Sequence, residues 1–133
     1  MIGYVTLGSN DMAKAREYYD ALLGSIGAKR LIEFGDEFGG FTMWSTSWGQ
    51  PAIALTTPYN KEAATAGNGN MTAIVLDSRD KVDAFHAKAL ELGGSDEGAP
   101  GVRGDEGPQA FYGAYFRDPE GNKLCAFRIG PAA

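Results

Sequence analysis

One histidine and one cysteine occur among the 133 residues, His86 and Cys125, so the side chains best suited to proton transfer and nucleophilic attack near neutral pH appear once each. His86 falls in the middle of DKVDAFHAKALELGG, beside Phe85, where an imidazole reads as a structural or surface group of a helix rather than a general base. Cys125 lies in KLCAFRI, and no histidine or cation can be placed beside it from the sequence to stabilise a thiolate. One cysteine makes no intrachain disulfide and cannot alone make a structural zinc site. Proton abstraction beside a carbonyl needs a base and an electrophile for the enolate. Glu33, Asp36 and Glu37, or a residue of a partner subunit, are open to the first task, and the second has no evident supplier. The segment GGSDEGAPGVRGDEG has no GK[ST] ending and no following helix, so it is not a phosphate-binding loop. It reads as a solvated loop, with a lid whose Arg103 attracts an anionic ligand as the functional alternative.

The elements that must position these residues come in two similar sets. GYVTLGSND alternates like a strand and reaches Asn10 and Asp11, good helix caps, before MAKAREYYDALLG. There Met12, Ala15, Tyr19, Leu22 and Leu23 recur at helical spacing. Gly24 and Gly27 can end that helix, and the apolar runs AKRLIEF, GFTMWS and PAIALTTP follow, giving the order βαβββ. The pattern restarts at MTAIVLDSRD, with Ser78 as cap and a helix carrying Val82, Phe85, Ala89 and Leu92 on one stripe before Gly93 and Gly94. A weak strand near 95–99, then QAFYGAYFR and KLCAFRI, complete the second set. Aligning Tyr4 with Thr72 brings the two helices within one residue of register. One domain is expected over 1–133, with a first module at about 1–59, a linker at about 60–70 and a second module at about 71–130.

Asp118-Pro119-Glu120-Gly121-Asn122 is the strongest local signal. Proline presets a type I turn and glycine takes the left-handed position after it, giving a hairpin with a bulge. This predicts Phe116 opposite Leu124 and Ala114 opposite Ala126 on one side. Tyr115 with Cys125, and Gly113 with Phe127, are then on the other.

Composition narrows the partners. Twelve Lys and Arg against 17 Asp and Glu leave a formal charge of −5, the wrong sign for neutralising a phosphate backbone, so no nucleic-acid partner is expected. No run of about 18 apolar residues is present to span a bilayer, and MIGYVTLG lacks the pattern of an export signal. The expected partners exclude a membrane, and the expected location is the cytoplasm. The 19 glycines suit a strand-rich fold with many tight turns.

Two βαβββ modules, GSND before a helix with EYYDALLG, and the closing FYGAYFRDPEGNKL together resemble the glyoxalase/bleomycin-resistance/dioxygenase superfamily, also called vicinal oxygen chelate proteins. The resemblance covers essentially the whole chain. It implies an α+β fold in which two βαβββ modules form a curved, barrel-like mixed sheet with helices on the outer face. Such modules usually pair around a cavity, within or between subunits, so a homodimer with a small-molecule ligand is implied. Metalloenzymes of the superfamily hold a divalent ion through His, Glu or Gln on the first and last strands of each module. Carried over, those positions fall at Tyr4 or Thr6, at Ala54 or Thr56, at Thr72 and at Cys125. None is His, Glu or Asp, and neighbouring Val5, Leu55, Ala73 and Leu124 are apolar. A phenol and a thiol without imidazole suit zinc, nickel, iron or magnesium poorly. The expectation is therefore no metal and no cofactor, as in members of the superfamily that bind ligands without a metal, with a glyoxalase-like lyase or isomerase or an extradiol-type dioxygenase as the alternative.

If alternation holds, Tyr4, Thr6, Thr72, Tyr115 and Cys125 should converge on the concave face where a metal would be, with Ala54 or Thr56 nearby, as ligand contacts or as a hydrogen-bonded polar core. His86 would be on the far side of the sheet. Among the aromatics Phe41, Trp44, Trp48, Tyr59, Phe111, Tyr112, Tyr115 and Phe127, most are expected in the core. Trp44 and Trp48 flank the polar STS, which makes them candidates for the pocket wall and for the centre of a dimer interface. The candidate ligand contacts are thus Tyr4, Thr6, Trp44, Trp48, Thr56, Thr72, Tyr115, Cys125 and Phe127; no catalytic residue is assigned.

Overall fold

The computed structural model describes residues 1–132. Two helices and eight strands form two four-stranded mixed sheets, neither closed into a barrel, an α+β fold of two βαβββ sets as the sequence pattern predicts. The chain divides into two compact units, Met1–Asn68 and the segment from Gly69 onward.

In the first unit β1 (Tyr4–Gly8) leads to α1 (Met12–Gly24), then β2 (Lys29–Glu33), β3 (Thr42–Ser45) and β4 (Ala52–Thr56), in sheet order β1-β4-β3-β2. Asp11 caps α1, its carboxylate accepting from the Lys14 N–H. The helix ends because Gly27 takes φ +88°, a region that costs other residues strain, while the Ala28 N–H returns to the Leu23 carbonyl. Ala15, Tyr18, Tyr19, Leu22 and Leu23 are buried, and each large side chain so buried contributes roughly 1.5–3 kcal/mol. The facing surface of the sheet supplies Trp44, Ile53 and Leu55, of which Trp44 is 1 % exposed. A short 3₁₀ turn at Asp36–Phe38 joins β2 to β3.

The second unit runs β5 (Thr72–Val75), α2 (Arg79–Glu91), β6 (Ser95–Arg103), β7 (Phe111–Arg117) and β8 (Lys123–Ile129), in sheet order β5-β8-β7-β6. Ser78 caps α2 by accepting from the Lys81 N–H, and Gly93 at φ +114° ends it, as the sequence predicts. Val82, Phe85, His86 and Ala89 pack onto the sheet side formed by Ala114, Phe116, Leu124 and Ala126. The hairpin registers Phe116 with Leu124, Tyr115 with Cys125, Ala114 with Ala126 and Gly113 with Phe127, every pair expected from the turn.

One expectation is corrected here. The weak strand expected near 95–99 is present but runs on to Arg103 as β6, through what reads as a solvated loop in the sequence, and it pairs with β7 through two irregularities, between Asp96 and Gly98 and between Gly98 and Gly101. Its glycines and Pro100 disguise a strand because they break alternation, yet an outermost strand tolerates both.

Candidate functional site

Register decides which side chains share a face, since partners across a ladder point the same way. In the second sheet, Phe116 and Leu124 face α2. Thr72, which pairs with Leu124, therefore faces the helix and is half-buried, not grouped with Cys125 on the opposite face. This corrects the expected clustering. The alignment of Tyr4 with Thr72 matched the helices to within one residue, and one residue in a strand inverts the side. The pairs Thr6↔Ala54 and Ala73↔Cys125 make Ala73 the counterpart of Thr6, so Thr6, Ala54, Ala73 and Cys125 are the inward residues of the first and last strands. That set has no imidazole or carboxylate and does not fit a divalent ion. Among the described residues, no group of three or more His, Cys, Asp or Glu is arranged to hold a metal.

Trp44 is corrected as well. It pairs with Arg30 and Ile53, lies against Tyr19 with ring centroids 6.0 Å apart, and its Nε1–H donates to Asp20 at 2.8 Å. It is a core tryptophan of the α1 side, unable to line a pocket or anchor an interface. Trp48, 67 % exposed, is in the turn between β3 and β4.

On the other face of the first sheet, opposite α1, are Tyr4, Thr6 and Thr56, in register with Ala52, Ala54 and Gly8. The ring of Tyr4 meets Phe41 edge-on at 5.8 Å, and Phe41 stacks on Phe34 at 5.8 Å. Thr6 is exposed. The Thr56 hydroxyl donates to the Thr57 carbonyl at 3.0 Å. Of the carboxylates considered as bases, Glu33 is paired with Arg30 at 3.0 Å, Asp36 and Glu37 are exposed in the 3₁₀ turn, and the Glu37 carboxylate folds back over Gly35.

The richest chemistry is on the face of the second sheet turned away from α2, where Tyr115, Cys125 and Phe127 come together as expected from the hairpin. Tyr115 and Cys125 are cross-strand partners on this face. Burial pushes the Cys125 thiol above its usual range, and this outweighs the opposing effects of Tyr115, the Ala114 backbone and the charges of Arg103 and Lys123. The thiol is therefore protonated at neutral pH and is no nucleophile. Burial and the neighbouring cysteine also raise Tyr115, so its phenol stays neutral and can donate. Phe111 and Phe127 stack at 5.4 Å with their planes 6° apart. Gly113, two residues along β7 from Phe111 and opposite Phe127, makes room for this stack, because a Cβ there would come within 2.5 Å of the Phe111 ring.

Two cations escaped the sequence reading, which placed none near Cys125. The Arg103 guanidinium lies 5.4 Å from the centroid of Tyr115, and the Lys123 ammonium 5.6 Å from it. Arg103 reaches there because β6 brings it onto this face and Gly98 and Gly101 leave its path open; a Cβ on either would approach the guanidinium to 3.2 or 3.1 Å. Lys123 has a signal in the sequence, being two residues before Cys125 on a strand whose register the turn sets. His86 is on the helix side, 5 % exposed, with Nε2 at 3.1 Å from Asp96 Oδ1 and 3.2 Å from the Tyr115 carbonyl. It is the structural histidine expected.

Comparison with known proteins agrees with this architecture. The family model described as Glyoxalase/Bleomycin resistance protein/Dioxygenase superfamily matches residues 1–126. A glyoxalase/bleomycin resistance protein from Albidiferax ferrireducens T118 is 35 % identical, with a TM-score of 0.80 over 96 % of this chain and 98 % of that one. A family enzyme from Burkholderia phytofirmans PsJN shares the fold at 19 % identity and TM-score 0.72, covering 96 % and 97 % of the two chains. A lactoylglutathione lyase from Agrobacterium tumefaciens shares it at 19 % and 0.65, covering 96 % and 92 %. None of the curated proteins matches the chain. The chain belongs to the glyoxalase/bleomycin resistance protein/dioxygenase superfamily.

Proposed function

We propose that this protein is a metal-independent small-molecule-binding member of its superfamily, acting in the cytoplasm as a homodimer with a dimer-associated cavity. The observation that carries the reading is the face of Tyr115, Cys125, Phe111 and Phe127: aromatic surface with a neutral phenol and a thiol among it. Apolar walls with a few placed polar groups are how small-molecule sites combine affinity with orientation. Tyr4, Thr6 and Thr56 on the first sheet, and Trp48 in its turn, are further candidate contacts. A lyase, isomerase or dioxygenase is the competing reading, and the lyase of Agrobacterium tumefaciens shows only that the fold is compatible with one. Such an enzyme would require a base, and the free carboxylates of Asp36 and Glu37 are the side chains to replace in testing it.

Metal content after dialysis against chelator, measured by mass spectrometry after re-exposure to nickel, zinc, iron and manganese, tests the metal-independent reading. Less than about a tenth of an equivalent of each is expected. Stoichiometric uptake lost in Tyr4→Ala or Cys125→Ala would overturn it.

A further inference from the structure

The second sheet's open face is polarised along its strands. Toward one end are the stacked Phe111 and Phe127, and beside Phe127 is its ladder partner Val75, which is 69 % exposed. Toward the other are Tyr115 and the two cations held against its ring. Among the described residues, neither cation is matched by a carboxylate. The Arg103 Nη1 and Nη2 donate to the carbonyls of Gly101 and Ala99 at 2.8 Å each, which leaves its positive charge uncompensated. Lys123 is in none of the ion pairs. The contrast with nearby arginines is informative: Arg117 is paired with Glu97 and Arg79 with Glu106. In a chain of net charge −5, two uncompensated cations beside a neutral phenol form a local positive field against the overall sign.

We propose that this face binds a small amphipathic carboxylate, its apolar or aromatic body against Phe111, Phe127 and Val75 and its anionic group at Arg103, Lys123 and the Tyr115 hydroxyl. The inference rests on the small-molecule reading above and adds the ligand's chemical class. A carboxylate fits better than a phosphate. The polar end of the face is built from side chains on paired strands β7 and β8 and from Arg103, and no helix N-terminus of the kind that cradles phosphate opens onto it. Two separate monocations and one phenol donor match a single planar anion.

Isothermal titration calorimetry of the intact protein with 1-naphthoate, its neutral analogue 1-naphthalenemethanol and 1-naphthyl phosphate tests this, with backbone amide shifts in NMR locating the site. Naphthoate should bind about tenfold tighter than the alcohol, a ratio that falls as salt is raised, and should shift the amides of residues 111–117 and 123–129. Arg103→Met and Lys123→Met should each remove most of that preference, with affinity for the alcohol changed far less and the fold retained by circular dichroism. Equal affinity for acid and alcohol would overturn the anionic class and leave small-molecule binding standing. Stronger binding of the phosphate would overturn the choice of carboxylate. Absence of binding by all three probes on this face would overturn the inference together with the reading beneath it.

Discussion

Asp20 ties α1 to the first sheet through three hydrogen bonds, accepting from Trp44 Nε1 at 2.8 Å and from Arg30 Nε and Nη2 at 2.9 and 2.7 Å. Burial works against its charge, but the bonds from Arg30 and Trp44 and the positive field of Arg30 and Arg16 prevail, holding the carboxyl below its usual range. A carboxyl whose folded value is depressed contributes stability that is complete above its unfolded value of about 4 and is lost as pH falls through the folded value. Asp20→Asn keeps an acceptor for the indole and removes the charge. It should cost about 1 kcal/mol at pH 7, a modest figure because the pair is partly exposed and screened. As pH falls below the usual carboxylate range and through the lower folded value, that cost should shrink toward zero. Urea unfolding of both proteins across pH 2 to 7 checks this, and a constant difference over the range would show that the charge contributes nothing. The same contacts explain why Trp44 was misplaced from sequence. Flanking polar residues suggested an open position, whereas a tryptophan whose N–H has a partner on the facing helix is comfortable in a core.

At the scale of elements, the turn at 118–122 organises the β7–β8 hairpin. The Asp118 carboxylate, buried itself, accepts from the backbone N–H groups of Glu120 and Asn122 and from Asn122 Nδ2 at 3.0, 2.9 and 2.9 Å. Gly121 takes φ +96°. Asp118→Ala strips buried donors of their acceptor and should cost about 2–3 kcal/mol; Gly121→Ala should cost about 1–2 kcal/mol from backbone strain alone. Chemical denaturation measures both, and a loss below about 0.5 kcal/mol for Asp118→Ala would mean the turn follows the strands instead of setting them. This is also where the sequence was most readable: Asp-Pro-Glu-Gly-Asn has few conformations open to it, so the pairing of Tyr115 with Cys125 followed directly. Thr72 was not readable to the same degree because no turn pins β5, a parallel strand, to β8. Helix alignment transfers register only to within a residue, and face depends on that residue. Strand β6 was half-legible for a third reason. Its irregularities at Gly98 and Gly101 remove the alternation by which strands are recognised, and with it the path that carries Arg103 to Tyr115.

Among the described residues, no helix is long and apolar enough to cross a membrane, and the exposed large apolar side chains include Ile2, Tyr4, Phe34, Phe38 and Trp48, from 49 to 67 % accessible. The Phe34 and Phe38 rings touch at 6.0 Å, so part of this surface is contiguous, and surface of that kind marks an association site when it exceeds a few hundred Å². Each sheet also has outer strands, β1 and β2 in one and β5 and β6 in the other, whose free edges favour pairing with another chain. With Trp44 committed to the core, Trp48 remains as the large anchor for a symmetric interface of about 1,200 Å² or more. Light scattering at micromolar concentration should then give a mass near twice the 14.1 kDa of one chain. Trp48→Ala should move the mass toward the monomer, while its circular dichroism and thermal midpoint hold within about 2 °C, because an exposed turn residue contributes little to the fold. Phe38→Ala gives an independent reading of the same surface. A parent protein that scatters as a single chain would end the dimer reading, and a dimer untouched by either substitution would move the interface away from these aromatics.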